Sequence, residues 1–250
     1  MAKPAKSDRQ ARIEQIRKQQ KGADGRRNIA IIGTCMLIAL LIIGAAAFRP
    51  IKDWWDQRGF EDTELAAIGA PASVCSEPIT ESAEGTGQHL PEDQQVTYDA
   101  SPPAFGPHWS VLGLAPVPIG REFYTETDRP EVEQLMHNLE HGFTIMWYDE
   151  SLADDAESLA ELRAISRKFA DTTDRRNAFI VAPWTSEDGE PFPDDQTVAL
   201  THWSAGGIGE TDPAKQVGVW QYCAEVSGEA VETFVRDYPQ QDSPEPSVML

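Results

Sequence analysis

Apolar positions along this chain follow three patterns, and each predicts a different kind of structure. Ile29 to Phe48 is a run of twenty residues without a charge. At roughly 1.5 Å per residue a helix of that length reaches about 30 Å, the thickness of a bilayer's hydrocarbon core. In lipid only a helix satisfies the backbone of such a segment, so one membrane-spanning helix is predicted. Further on, Leu159, Leu162, Ile165 and Phe169 recur at the spacing of a helix face within Ser158 to Ala170. Short apolar or aromatic runs at Phe143–Tyr148, Asn177–Ala182, Thr197–Ser204 and Val217–Cys223 predict four strands.

Local signals add boundaries to these elements. Asp128-Arg129-Pro130-Glu131 has the form of a capping box with Pro in the first turn, and Gly142 supplies a stop. A helix of about eleven residues is predicted between them. Pro183 and the acidic, Gly-containing run after it read as a loop, and Ala230–Tyr238 as a closing helix. Glu77 to Pro118 contains many Gly and Pro with little periodicity, so the rest of the fold must hold it. Strands mixed with helices, without repeats or heptads, predict an α+β domain: a small, mostly antiparallel sheet with packed helices, preceded by one transmembrane helix.

Charge divides the chain at the apolar run. Residues 1–27 carry nine basic and three acidic groups, a net of +6, whereas the remaining 12 basic and 38 acidic residues give −26. By the positive-inside rule the N-terminus is cytoplasmic and the bulk of the protein extracytoplasmic. A cleaved signal peptide is the competing reading, and Ala45-Ala46-Ala47 would suit a cleavage site, but the run exceeds the usual 7–15 residues and ends in Arg49-Pro50. A lipoprotein is a poorer match, since Cys35 lies inside the run. Trp54 and Trp55 stand where indoles favour the membrane interface. The organisation predicted is a basic cytoplasmic segment over 1–28, the span over 29–48, a charged stalk over 49–74, a domain over 75–238 and a disordered tail over 239–250. So acidic an ectodomain would repel phosphate backbones, which argues against nucleic-acid binding.

The cysteines fit this topology. Cys35 is a small apolar filler of the membrane segment, which leaves Cys75 and Cys223 as a pair in an oxidising compartment. Joining them closes a loop worth roughly 5 kcal/mol in the chain-entropy model.

Chemistry concentrates in the histidines. Four of the five, His89, His108, His137 and His141, fall between positions 89 and 141. His137 and His141 are four apart on the predicted helix, a spacing that lets two imidazoles reach one metal ion. With Glu140 they spell the H-x-x-E-H pattern of inverted zinc peptidases, in which the Glu is the general base. Five letters are a weak match, and Gly142 ends the helix where a peptidase would continue it.

The run Tyr98-Asp99-Ala100-Ser101-Pro102-Pro103-Ala104-Phe105-Gly106-Pro107-His108-Trp109, then Leu135-Met136-His137-Asn138-Leu139-Glu140-His141-Gly142 and a strand ending in Trp147-Tyr148, resembles the family called domain of unknown function 3105. The similarity spans residues 75–238 and includes His89 and the Val181-Ala182-Pro183 strand end. The resemblance implies an actinobacterial type of protein with a single N-terminal span, and no enzyme class. Ala104-Phe105 departs from the hydroxyl residues expected before Gly106, which weakens any role for a hydroxyl ligand or nucleophile there.

Three readings of the histidine cluster stay open. His108, His137 and His141, with His89, bind copper or zinc, to which Met136 and Met146 would add soft ligands for cuprous ion. Alternatively the histidines and Glu140 form a buried hydrogen-bond network that pins the Pro-rich loop to the helix. The third is a partner-binding surface. His202 reads as a packed strand residue, and Arg121 as a surface cation or the partner of a carboxylate in the network. Trp109, Trp147 and Trp203 supply core mass or an interface anchor. No Ser-His-Asp elbow or phosphate loop is present, and Gly206-Gly207-Ile208-Gly209 resembles a nucleotide fingerprint only in composition. The sequence thus predicts a membrane-anchored extracytoplasmic protein that acts by binding, as an accessory component with a membrane or envelope protein partner. A copper or zinc protein is the alternative, and a zinc hydrolase with Glu140 as general base a third.

Overall fold

Alternate residues of the central strands point into two separate cores, one on each face of a single sheet. The computed structural model describes residues 10, 12–15, 31–48, 58–118, 120–170, 174 and 178–246. It divides into two units, Met1–Trp55 and Asp56–Leu250. In the first, α1 (Ile31–Phe48) is an 18-residue helix of mean hydropathy 2.6, none of it buried by protein, long and apolar enough to cross a membrane. Trp54, Trp55, most of the basic segment and residues 49–57 of the predicted stalk lie outside the described residues.

The second unit is α+β. Its strands are β1 (Ile79–Ser82), β2 (His89–Leu90), β3 (His108–Trp109), β4 (Thr144–Asp149), β5 (Phe179–Trp184), β6 (Val198–Ser204) and β7 (Val217–Cys223). Its helices are α2 (Val132–Glu140), α3 (Ala156–Arg167) and α4 (Gly228–Asp237). The main sheet runs β1-β7-β6-β4-β5, and β2 pairs with β3 apart from it. The first three pairings are antiparallel, and only β4–β5 is parallel, as is β2–β3. A parallel neighbour needs a crossover, and α3 supplies it between β4 and β5.

Because strand side chains alternate, Ile145, Trp147, Ile180, Ala182, Ala199, Trp203, Trp220 and Tyr222 face one way and pack with Leu135, Met136 and Leu139 of α2. Met146, Tyr148, Phe179, Val181, Leu200 and Val219 face the other way against Leu162 and Ile165 of α3 and Val231 and Phe234 of α4. The sheet is thus covered on both faces, which explains why its central strands read as nearly continuous apolar runs. Caps set the helix starts: Asp155 accepts from Glu157 N and Ser158 N, and Ser227 Oγ accepts from Ala230 N.

Four sequence expectations change. The helix after Asp128 begins at Val132 and has nine residues. Gln134 Oε1 accepts from Glu131 N at 2.9 Å, while Asp128 closes an earlier turn by accepting from Thr125 N at 2.7 Å. The strand before Pro183 continues to Trp184. Val181 N donates to Glu122 O, away from β4, so two residues on Pro183 lacks an N–H only on that outer side, where no ladder needs it. Residues 58–74 are not a free stalk, because Ile68 is fully buried in the second core and Gly228 N donates to Ile68 O at 2.8 Å. The segment from Pro239, read as disordered from its polar composition, is packed as far as 246, with Gln240, Asp242 and Ser243 buried. Residues 247–250 lie outside the described residues.

The Gly- and Pro-rich stretch is indeed held by the rest of the fold. Trp220 Nε1 donates to Pro102 O at 2.7 Å and Tyr222 Oη to Ser101 O at 3.1 Å. Asn138 of α2 braces Val117 twice, with its Oδ1 accepting from Val117 N and its Nδ2 donating to Val117 O, both at 2.8 Å. A disulfide joins Cys75 to Cys223 across a sequence separation of 148, and Cys35 is a free, exposed cysteine on α1.

Candidate metal centre

Two short elements and one helix carry the cluster. Parallel pairing of β2 with β3 sets His89 beside His108, and β3 lies against α2, where His137 and Glu140 are three apart and share a face. His89 Nε2 and His108 Nε2 each stand 3.1 Å from Glu140 Oε2, and His137 Nε2 stands 4.0 Å from it. One ligating atom from each of the four residues lies within 4.8 Å of the others. His108 is fully buried and His137 and Glu140 nearly so, whereas the His89 side chain is 46% exposed and forms the open edge. Gly87 lets the chain pass over the carboxylate: a Cβ there would stand 3.1 Å from Glu140 Oε1 and 3.2 Å from Trp203.

The opposite ring nitrogens are already committed. His108 Nδ1 lies 2.9 Å from Gly106 O, and His137 Nδ1 2.7 Å from Trp109 O. A carbonyl oxygen only accepts, so each Nδ1 is the donor and each neutral ring turns its Nε2 lone pair inward. A lone pair facing a carboxylate oxygen at 3.1 Å is repulsive, so a second proton or a cation has to sit between His108 Nε2 and Glu140 Oε2. Burial raises the Glu140 carboxyl, but hydrogen bonding and charge from His108 and His89 outweigh it and bring it down to about 2. Burial, with His108 and His141 nearby, lowers His137 to about 4. An anionic carboxylate and a neutral imidazole are the forms that ligate metals.

His141 does not join this set. It follows the last residue of α2 and leaves the helical path, with ψ near 11°, and its Nδ1 lies 2.9 Å from Glu245 O. Met136 belongs to the core beneath α2 and Met146 to the core on the opposite face of the sheet. His202 is buried in β6, with Nδ1 3.2 Å from Phe143 O and Nε2 2.7 Å from Asp242 O. Arg121 pairs with Asp128 at the surface and stacks over Tyr124, apart from the cluster. Sequence reasoning missed the carbonyls of Gly106 and Trp109, whereas the placing of Glu140 among the imidazoles is what its hydrogen-bond-network reading expects. The i,i+3 spacing of His137 and Glu140 was the available signal for the latter. A cleft of about 400 Å³ is lined by Tyr98, Phe105, Gly106, Pro107 and Trp220 among others, and by none of the four cluster residues.

A candidate membrane helix, a mostly antiparallel α+β domain with one disulfide, and a buried His–Glu cluster define the class of protein. The chain belongs to the family described as Protein of unknown function (DUF3105), whose model matches residues 89–249. The match opens on His89, contains the whole cluster and extends past position 238 through the packed tail. No curated protein and no solved structure matches the chain.

Proposed function

We propose that the domain is a transition-metal-binding module of the cell envelope, holding Zn(II) or Cu(II) through His89, His108, His137 and Glu140. One observation carries the reading: in His108 and His137 a backbone carbonyl occupies Nδ1 while Nε2 turns toward the same carboxylate oxygen. This is the outer-shell arrangement that fixes the tautomer of metal-ligating histidines. Three imidazoles and a carboxylate suit zinc or copper, and the set contains no sulfur that would favour cuprous ion. Placing Glu140 among the ligands takes it away from the general-base role that the H-x-x-E-H pattern suggests, so the role is binding and not turnover. The basic N-terminus, the apolar helix and the disulfide support a cytoplasmic N-terminus with the domain across the membrane. There it acts as an accessory to a membrane or envelope protein.

Metal analysis of the full-length protein in mild detergent tests this. After loading and exhaustive dialysis the wild type is expected to retain a tightly held ion that His108→Ala and Glu140→Gln both lose. Equal retention by wild type and His108→Ala, or no retention by either, would end the proposal. Protease added to intact cells is expected to remove the C-terminal domain, and protection until lysis would overturn the orientation.

A further inference from the structure

His141, excluded from the first cluster, is the centre of a second one. Ligating atoms of Glu140, His141 and Glu245 lie within 4.8 Å of one another. The His141 ring is buried and lies 4.8 Å from that of His137, so it extends the arc of His89, His108 and His137 by one imidazole. Its Nδ1 faces a backbone carbonyl, that of Glu245, as His108 and His137 face theirs. Nδ1 donates its N–H to that carbonyl, so in the neutral ring Nε2 is the lone-pair nitrogen.

Glu245 is positioned by its main chain. Its N–H donates to Glu140 O at 3.0 Å, its C=O accepts from His141, and Gln240 Nε2 ties down the next carbonyl, Pro246 O, at 2.7 Å. The Glu245 carboxylate is therefore delivered to the end of α2 without depending on its own side-chain contacts. It is also exposed, which gives the position access to solvent. Glu140 Oε2 faces the three imidazoles, and a carboxylate offers about four lone-pair directions, so Glu140 retains capacity for a second ion.

We propose that Glu140, His141 and Glu245 bind a second divalent transition ion, with Glu140 bridging it to the first. The inference rests on the metal reading above for its bridging partner. One imidazole and two carboxylates form a harder set than the first, open to solvent and completed by water, so this ion is the weaker and more exchangeable of the two. Since Glu245 belongs to the C-terminal segment, the second ion also fastens that segment to the end of α2.

The test loads the full-length, detergent-solubilised protein with Cu(II). Ions bridged by one carboxylate lie roughly 4 Å apart, close enough for their spins to couple. The expected result is two Cu(II) per chain with a half-field electron paramagnetic resonance signal. Glu245→Gln, which keeps the main-chain hydrogen bonds of residue 245, is expected to bind one Cu(II) and to lose that signal. A wild type that binds one ion, two ions without coupling, or a Glu245→Gln protein that keeps two coupled ions would overturn the second site. A single ion lost on His108→Ala would leave the first reading standing, whereas no bound ion at all would remove both.

Discussion

Phe105 lies over Gly218 so closely that a Cβ at position 218 would stand 2.3 Å from one of its ring carbons. The ring meets Trp220 edge-on at 5.8 Å and Trp203 at 6.2 Å, and Trp203 in turn meets His108 edge-on at 6.0 Å. Gly218 of β7 is thus the floor beneath the loop that carries His108. Gly218→Ala is expected to destabilise the domain by about 1–3 kcal/mol, the usual range for overpacking. Because Phe105 precedes Gly106, whose carbonyl holds His108, the variant should also retain metal more weakly. Denaturant melts and metal retention measured on the same preparation check both effects.

Metal binding should register as stability. A ligand at about 100 times its Kd adds about 2.7 kcal/mol if the unfolded chain does not bind it. Zinc is expected to raise the melting temperature of the wild type and to leave Glu140→Gln unmoved. His89→Ala should reduce the rise less than His108→Ala, because His89 is half-exposed and His108 fully enclosed. Calorimetry with and without zinc measures the series.

Acid titration should expose a strained carboxylate far from the cluster. Burial raises Glu161 from 4.5 to about 6, and Glu157, Asp155 and Glu225 add to the shift. A carboxyl raised in the folded state gives up its proton more readily when unfolded. It therefore costs nothing below pH 4.5, and its penalty grows until the pH passes 6. Glu161→Gln is expected to stabilise the protein by ~0.5 kcal/mol at pH 7, after discounting for solvent screening, and to be neutral at pH 4. Equal effects at both pH values, in urea melts, would contradict this origin.

The packed C-terminal segment predicts its own loss. Asp242 accepts from Ser204 Oγ at 2.8 Å and from Gly207 N at 2.7 Å, so Asp242→Ala leaves two donors without their acceptor. About 2 kcal/mol of destabilisation is expected. Deletion after Pro239 should cost more, since it also strips the acceptor from His202 Nε2. Chemical denaturation of both variants gives the comparison.

Elements with strong periodicity were legible in the sequence. Val217–Cys223 is a strand over the range its pattern predicts, and α3 begins two residues before the predicted start and ends three before the predicted end. Short-range signals were less secure. Asp128 looks like the cap of α2, and only the fold decides that it closes a turn while Glu131 stands at the helix start. β1 stayed hidden because all four of its residues are exposed, so it carries no apolar alternation. The tail was misread because buried polar side chains that satisfy carbonyls and amides have the same composition as disordered ones. Within the cluster, the nearness of His137 to Glu140 follows from helical spacing. The meeting of His89 with His108 depends on a two-residue parallel pair that no periodicity reports.

The Cys75–Cys223 bond also decides how a pull would travel. Tension arriving along the backbone from the N-terminal helix meets residue 75 before it reaches β1, and there it passes through sulfur into the end of β7. β1 is thereby spared from being peeled off the sheet edge one hydrogen bond at a time. The load enters next to an interior strand, where several ladders would have to shear together.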